Sequence, residues 1–217
     1  MTNKNEYYYS NIRHDLIGLI TKKENFNVLE IGAGYGETII YLKESGKAKE
    51  AIGVDLNYDE SKTDSYERLD KFIFGDIEKL SLDEYEEKFD VIILADILEH
   101  LNNPIELLKK LKKNLKIDGE IIASIPNIRN LNALNKIFIK GTFAYEKEGL
   151  FDSTHLRFFC KKDIIALFSE SKYHVDHIES ALKSYKPKSL KKNINKITFG
   201  LFEEFLTTQY FIRANNE

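Results

Sequence analysis

Apolar residues along this chain fall into short runs separated by stretches of helical spacing. Phe26, Val28, Leu29 and Ile31 form a run of strand formers with little alternation, as a strand covered on both faces requires. Similar runs recur in EAIGVDL (50–56), KFIFGD (71–76), FDVIILA (89–95) and EIIASIP (120–126). Between them, ETIIYLKESG (37–46) reads as a helix with Ile39, Tyr41 and Leu42 on one face and Gly46 as its stop. PIELLKKLKKNLK (104–116) reads as another, with Pro104 in its first turn, Ile105, Leu108, Leu111 and Leu115 in one stripe, and lysines on a solvated face. Asp118-Gly119 then turns the chain into the fifth strand. Five alternations predict a parallel sheet with right-handed crossovers.

The two ends of the chain depart from this rhythm. YYYSNIRHDLIGLITKK (7–23) predicts an amphipathic helix with Ile12, Leu16, Leu19 and Ile20 on one side. Two readings of it stay open: a helix packed over the sheet edge, or a cover in which Tyr8, Tyr9 and Arg13 close over a ligand. Residues 128–160 are too long for an ordinary connection and rich in aromatics, which predicts a substrate-side cover. A helix at 161–171, a strand at 173–182, a helix at 196–208 and a last strand at 209–214 complete the pattern.

Composition narrows the class. At 217 residues and 42% hydrophobic content the chain suits one domain with a sizeable core, residues 1–25 forming its N-terminal cover. A formal charge of −3 points away from a general polyanion-binding surface. No run approaches the ~18 apolar residues that span a bilayer, and MTNKNEYYYS has no signal-peptide core, so the expected compartment is the cytoplasm. Cys160, the single cysteine, makes no internal disulfide and no thiolate zinc cluster.

The chemistry gathers at the strand ends. After the first strand come Gly32, Ala33, Gly34 and Gly36, which let the backbone turn sharply and approach a ligand. A pyrophosphate binder needs G-x-G-x-x-G; here the third glycine comes one residue early and Glu37 follows it, an anion where a phosphate would lie. Glu30, two residues before the turn, suits a cationic amine instead. Asp55 ends the second strand, where one carboxylate accepts from both hydroxyls of a ribose, or caps the next helix. Asp76 and Ile77 follow the third strand, and Ala95 and Asp96 the fourth; ligands of open parallel sheets lie at such ends.

An acidic residue followed by G-x-G-x-G resembles the cofactor loop of class I S-adenosylmethionine-dependent methyltransferases, a likeness that extends along most of the chain. It implies a Rossmann-like, doubly wound, seven-stranded and mostly parallel α/β sheet with an antiparallel last strand. It also implies S-adenosylmethionine as cofactor: Glu30 and Gly32, Ala33, Gly34 and Gly36 hold the methionine part, Asp55 and Leu56 the ribose, Asp76 and Ile77 the adenine, with Ala95, Tyr9 and Arg13 alongside. The YY-x-x-x-R-x-D opening resembles that of some bacterial members. Nicotinamide or flavin binding is the minor alternative.

Asp96, Glu99 and His100, if helical, share one face at i, i+3 and i+4. Such donors suit magnesium or manganese, which would hold vicinal hydroxyls and lower the pKa of the attacked one. The stretch resembles the metal motif of ubiquinone-pathway O-methyltransferases and of enzymes methylating RNA 3′ ends at the 2′-oxygen, with His155 as the added histidine. Metal-free members also carry D-x-L-E-H-L. In that reading Asp96 lies near the sulfonium and His155 or His100 is the general base. Arg157 binds an anionic group or pairs with an acid, and His14, His174 and His177 are structural. Neither N-P-P-[YF] nor a Pro-Cys nucleophile is present, which favours oxygen as acceptor. SIPN and EGLFDSTHLRFF resemble glycan-associated bacterial methyltransferases, implying a sugar or nucleotide-sugar hydroxyl. The alternatives are RNA reached along Lys136, Lys140, Lys186, Lys188, Lys191 and Lys192, a quinone precursor or catechol, and a non-catalytic cofactor-binding module.

Overall fold

A computed structural model describes residues 11–216. Seven strands form one sheet: β1 (Phe26–Ile31), β2 (Ala48–Asp55), β3 (Lys71–Phe74), β4 (Phe89–Ala95), β5 (Leu115–Pro126), β6 (Tyr173–Ser180) and β7 (Gln209–Asn216). Their order is β3-β2-β1-β4-β5-β7-β6. β3, β2, β1, β4 and β5 pair in parallel, and β7 runs antiparallel to both β5 and β6. This is the Rossmann-like sheet with its antiparallel last strand, as expected. The strand order reverses between β1 and β4, so the crevice beyond their carboxyl ends is where such a sheet takes a ligand.

The near-absence of alternation in the central strands has the expected cause, because both faces are covered. Leu29 and Ile31 pack with Ile52, Val54, Ile92, Leu94 and Ile121 on one face. Val28 packs with Val91, Ile93, Ile122 and Phe211 on the other. Neighbouring side chains on a strand point to opposite faces, so Glu30 falls on the Val28 face. Helices α1 (His14–Ile17) and α2 (Glu37–Glu44) cover that face, burying Leu16, Ile39 and Leu42 completely.

Several boundaries differ from the sequence reading. Within the described part of the helix expected over 7–23, α1 is one turn long, and Leu16, Ile17 and Leu19 lie over the middle of the sheet rather than its edge. Glycine at 18 is a weak helix former, and the chain continues there as turns. Tyr8 and Tyr9 lie outside the described residues. α3 (Thr63–Glu67) precedes β3, and α4 (Pro104–Asn114) ends one residue before Leu115, which pairs with Phe89 as strand and is buried. The Asp118-Gly119 turn is instead extended chain within β5. Beyond β5 come α5 (Leu131–Leu134), a π-turn over Asn135–Ile139, and α6 (Lys161–Glu170). The helix expected over 196–208 is two pieces, α7 (Leu190–Ile197) and α8 (Glu203–Leu206), separated at Gly200, whose φ of +83° ends a right-handed helix.

The turn from β1 into α2 depends on glycine for a stated reason. Gly32, Gly34 and Gly36 all have left-handed φ, at 73°, 57° and 82°. A Cβ on Gly36 would lie 2.8 Å from Leu69 Cδ1. Gly36→Ala is therefore expected to cost roughly 1–3 kcal/mol through backbone strain, read as a lower melting temperature in thermal unfolding without ligand. An unchanged melting temperature would refute this account of the turn.

Candidate active site

The glycine turn is tied to β2 from two sides. Gly32 N and Ala33 N donate to the Val54 carbonyl at 2.8 and 3.0 Å. Gly34 N donates to Asp55 Oδ2 at 2.8 Å and Asn57 N to Asp55 Oδ1 at 3.0 Å. Asp55 thus braces the loop while lying at the strand end. Burial raises its pKa, and the amides of Asn57 and Gly34 oppose that rise. Leu56 beside it is exposed.

Glu30 is the electrostatic centre of this end. Its side chain is buried, and Oε2 has no hydrogen-bond partner. Burial pushes its pKa up to about 8; Arg13 pulls it down, and Asp55 pushes it further up. A carboxylate kept dry with an empty acceptor is short of a cation. Arg13, whose charge acts on Glu30, is spoken for: Nη1 donates to Asp96 Oδ2 at 2.6 Å and Nε to Asp15 Oδ1 at 3.0 Å. Burial works against the Arg13 charge, yet Asp96 and Asp15 together raise its pKa.

Asp96 occupies the exit of β4 in a left-handed conformation, φ 51°, held by Asp96 N donating to Ser124 Oγ at 3.1 Å. Its other carboxylate oxygen accepts from Gln209 Nε2. Asp76 lies at the remaining strand end, where its carboxylate pairs with Lys79 at 2.9 Å and is held below the usual range by it. Ile77 next to it is buried, and Ala95 is partly buried.

The segment after Asp96 is not the expected continuous helix. Leu98–His100 is a single 3-10 turn, and Asp96 stands apart from it, engaged with Arg13 and Gln209. Asp96 therefore leaves the expected metal set. Glu99, His100 and His155 remain, each with a ligand atom within 4.8 Å of the others. His155 Nε2 is 4.0 Å from Glu99 Oε1, and the two imidazole rings meet edge to face at 4.6 Å. Each ring is steered from behind: His155 Nδ1 contacts the Leu150 carbonyl at 2.8 Å and His100 Nδ1 the Thr154 carbonyl at 3.1 Å. A carbonyl only accepts, so Nδ1 carries the proton and the neutral ring presents Nε2 as a lone pair, the arrangement of a metal-ligating histidine.

Three further hydrogen bonds fix this cluster. The Glu99 carbonyl accepts from Leu156 N at 2.9 Å and Arg157 N at 3.1 Å, clamping the His155 segment against the 3-10 turn. Asp152, buried, accepts from Thr154 N at 2.8 Å and so shapes the His155 turn. Among the described residues Arg157 pairs with no acid, and it is not one of the cavity's lining residues; its guanidinium donates to the Leu101 and Asn102 carbonyls. The sequence reading gave Asp152 and Gln209 no role, though the D-S-T run at 152–154 is a recognisable Asx-turn signal.

A cavity of about 890 Å³ opens beside Asp96 and the Glu99–His155 pair; the glycine turn, Glu30, Asp55 and Asp76 are not among its lining residues. Asp96, Glu99 and His155 form one wall, and Asn130, Lys136 and Glu146 from the long 128–160 segment form another. Lys136 bonds Glu146 at 2.6 Å and lies 4.0 Å over the Phe151 ring, so the cover is internally braced. Residues 1–178 match the family model described as a methyltransferase domain.

The chain belongs to the methyltransferase domain family. A tRNA U34 carboxymethyltransferase from Sulfurimonas denitrificans is 30% identical over 118 residues, covering 52% of this chain and 39% of that protein. The ubiquinone biosynthesis O-methyltransferase of Histophilus somni is 26% identical over 155 residues, covering 63% of this chain and 62% of that protein. The chain thus spans less than two thirds of the length of these curated relatives. The crystal structure of a SAM-dependent methyltransferase from Archaeoglobus fulgidus has a TM-score of 0.61 at 24% identity, covering 89% of this chain and 87% of that one, which shows the shared fold.

S-adenosylmethionine, the cofactor expected of a methyltransferase domain, fits the residues present. Its ammonium suits the unpartnered buried Glu30 oxygen, and the left-handed glycines leave no Cβ between backbone and ligand. When bound, it would supply the electrophilic methyl group. Among the described residues no helix is long and apolar enough to cross a membrane.

Proposed function

We propose that this chain transfers a methyl group from S-adenosylmethionine to a hydroxyl oxygen of a small polyhydroxylated acceptor, a sugar or nucleotide sugar. The observation that carries this is the convergence of Glu99, His100 and His155, of which Glu99 and His155 line the 890 Å³ cavity. In this reading Glu30 and the glycine turn receive the methionine part, Asp55 the ribose, and Asp76 and Ile77 the adenine. Glu99, His100 and His155 activate the acceptor. His155 can take the hydroxyl proton at Nε2, or the three together can hold a divalent cation that lowers the hydroxyl's pKa. One carboxylate and two imidazoles favour manganese or zinc over magnesium, which prefers oxygen donors.

The choice of a sugar over a quinone precursor rests on the cavity wall. Asn132, Asn135 and Thr142 line it alongside the charged groups Asp96, Lys136, Lys140 and Glu146, a polar lining that suits an acceptor with many hydroxyls better than a flat aromatic ring.

A methylation assay with pooled acceptors, run with and without chelator, tests this. Product from sugars that falls on chelation and returns with manganese is the expected result. Product from catechols alone, or from RNA alone, would reject the sugar. Cofactor binding without turnover on any acceptor would leave a binding module.

A further inference from the structure

We propose that the face formed by α7 and the turn after it docks this protein on an anionic phospholipid surface, independently of which acceptor the cavity takes. Between residues 181 and 202 the chain carries six lysines and no acid, in a protein whose formal charge is −3. α7 reads LKKNINKI and none of its residues is buried. At about 100° per residue, Leu190, Ile194 and Ile197 share one narrow stripe while Lys191, Lys192 and Lys196 lie around the rest of the helix. Exposed apolar side chains continue past the helix end into the turn: Leu190 is 73% exposed and Ile197 75%, and Phe199 at 95% and Leu201 at 80% follow them.

Such a helix has no stabilising reason to leave its apolar side in water. Unpaired apolar patches on a soluble surface mark a docking site, and the charges around this one choose the partner. Lysines surrounding an aliphatic and phenylalanine stripe match the interface of a bilayer, where the apolar side chains enter the acyl boundary and the ammonium groups stay among anionic headgroups. RNA would be met by the lysines but gives Leu190, Ile194 and Ile197 nothing to bury against. A shallow cavity of about 510 Å³, lined by Ser184, Tyr185, Lys186, Lys188 and Ser189, lies beside the helix start and suits a headgroup phosphate.

The patch is joined to the candidate active site. Directly after it, the Glu204 carbonyl accepts from Asn127 Nδ2 at 2.7 Å, and the Arg129 guanidinium lies 4.5 Å from the Phe205 ring. The chain then enters the cavity wall at Thr208 and Gln209. Docking through 190–202 would therefore bring the cavity close to the membrane, where a lipid-borne acceptor is presented.

The test is co-sedimentation of the full chain with vesicles of phosphatidylglycerol and phosphatidylcholine in equal parts, against vesicles of phosphatidylcholine alone. Binding to the anionic vesicles only, weakened by salt, is expected. Leu190→Ser with Ile197→Ser and Phe199→Ser should abolish it, and the melting temperature should hold because all three side chains are solvent-exposed. Lys188→Gln with Lys196→Gln should weaken it about 25-fold, about fivefold for each lysine. No vesicle binding, or binding that survives the triple serine variant, would overturn the proposal. So would tRNA binding that the lysine variant loses and the serine variant keeps, which assigns the face to RNA. A dimer in sedimentation velocity that the serine variant dissolves would assign it to a second copy and overturn the proposal equally.

Discussion

Glu30→Gln is expected to stabilise the ligand-free protein at alkaline pH while weakening its hold on S-adenosylmethionine. In the folded chain the carboxyl is raised from 4.5 to about 8, chiefly by burial. A folded-state pKa above the unfolded one means a contribution to stability that is complete below about 4.5 and lost as pH rises through about 8. Over that interval the loss is on the order of 5 kcal/mol, and a neutral amide escapes it. The difference in unfolding free energy between variant and wild type should therefore grow from pH 5 to about 9 in urea titrations. The ligand reverses the ranking: a cationic amine beside Glu30 favours the ionised form, so wild-type affinity should rise with pH up to about 8, and the variant should bind roughly 10–100-fold more weakly in calorimetry. Arg13→Gln, which removes the charge now pulling the carboxyl down, should move the pH midpoint upward. Equal affinities in Glu30→Gln and wild type would place the amine elsewhere.

What the chain revealed in advance and what it hid follow from the range of the forces involved. The unit from β1 through the glycine turn to α2 was legible because its signals are local: an unbroken apolar run, three glycines whose φ only glycine takes easily, and a helical period. Glu30 was legible for the same reason, although its depth depends on α1 and α2 covering the face it shares with Val28. The stretch from Asp96 to His100 was misjudged because spacing carries no information on backbone conformation. Asp96 adopts a left-handed φ, and its carboxylate is claimed by Arg13, 83 residues earlier, and by Gln209, 113 residues later. Neither partner lies within reach of a local pattern. Leu115 fitted the helical stripe of α4 by count, yet strand pairing with Phe89 buries it better. Residues 128–160 announced a cover by length and aromatic content, and residues from it do line the cavity; its π-turn had no sequence signature.

The second large effect should come from the Glu99, His100 and His155 cluster, and two substitutions there separate its two possible chemistries. Glu99 is 1% exposed and His155 6%, so both act out of bulk water, where a charge is strongly felt. If the cluster holds a cation, Glu99→Gln removes its only anionic ligand and His155→Gln a neutral one. Both variants should lose manganese-dependent thermal stabilisation, and turnover should fall roughly 10²–10⁴-fold in each, with chelated wild type matching them. If His155 works as a general base alone, His155→Gln should fall by a similar ~10²–10⁴-fold while chelator leaves the wild type untouched. In that case Glu99→Gln should change the pH at which turnover half-saturates, since Glu99 Oε1 lies 4.0 Å from the nitrogen that takes the proton and favours its charged form. Turnover that is indifferent to both substitutions would remove the cluster from the chemistry. The segment keeps its place in either variant through the backbone, because the Glu99 carbonyl accepts from Leu156 N and Arg157 N; His155→Gln also removes the Nδ1 contact to the Leu150 carbonyl, so its melting temperature is measured beside its turnover.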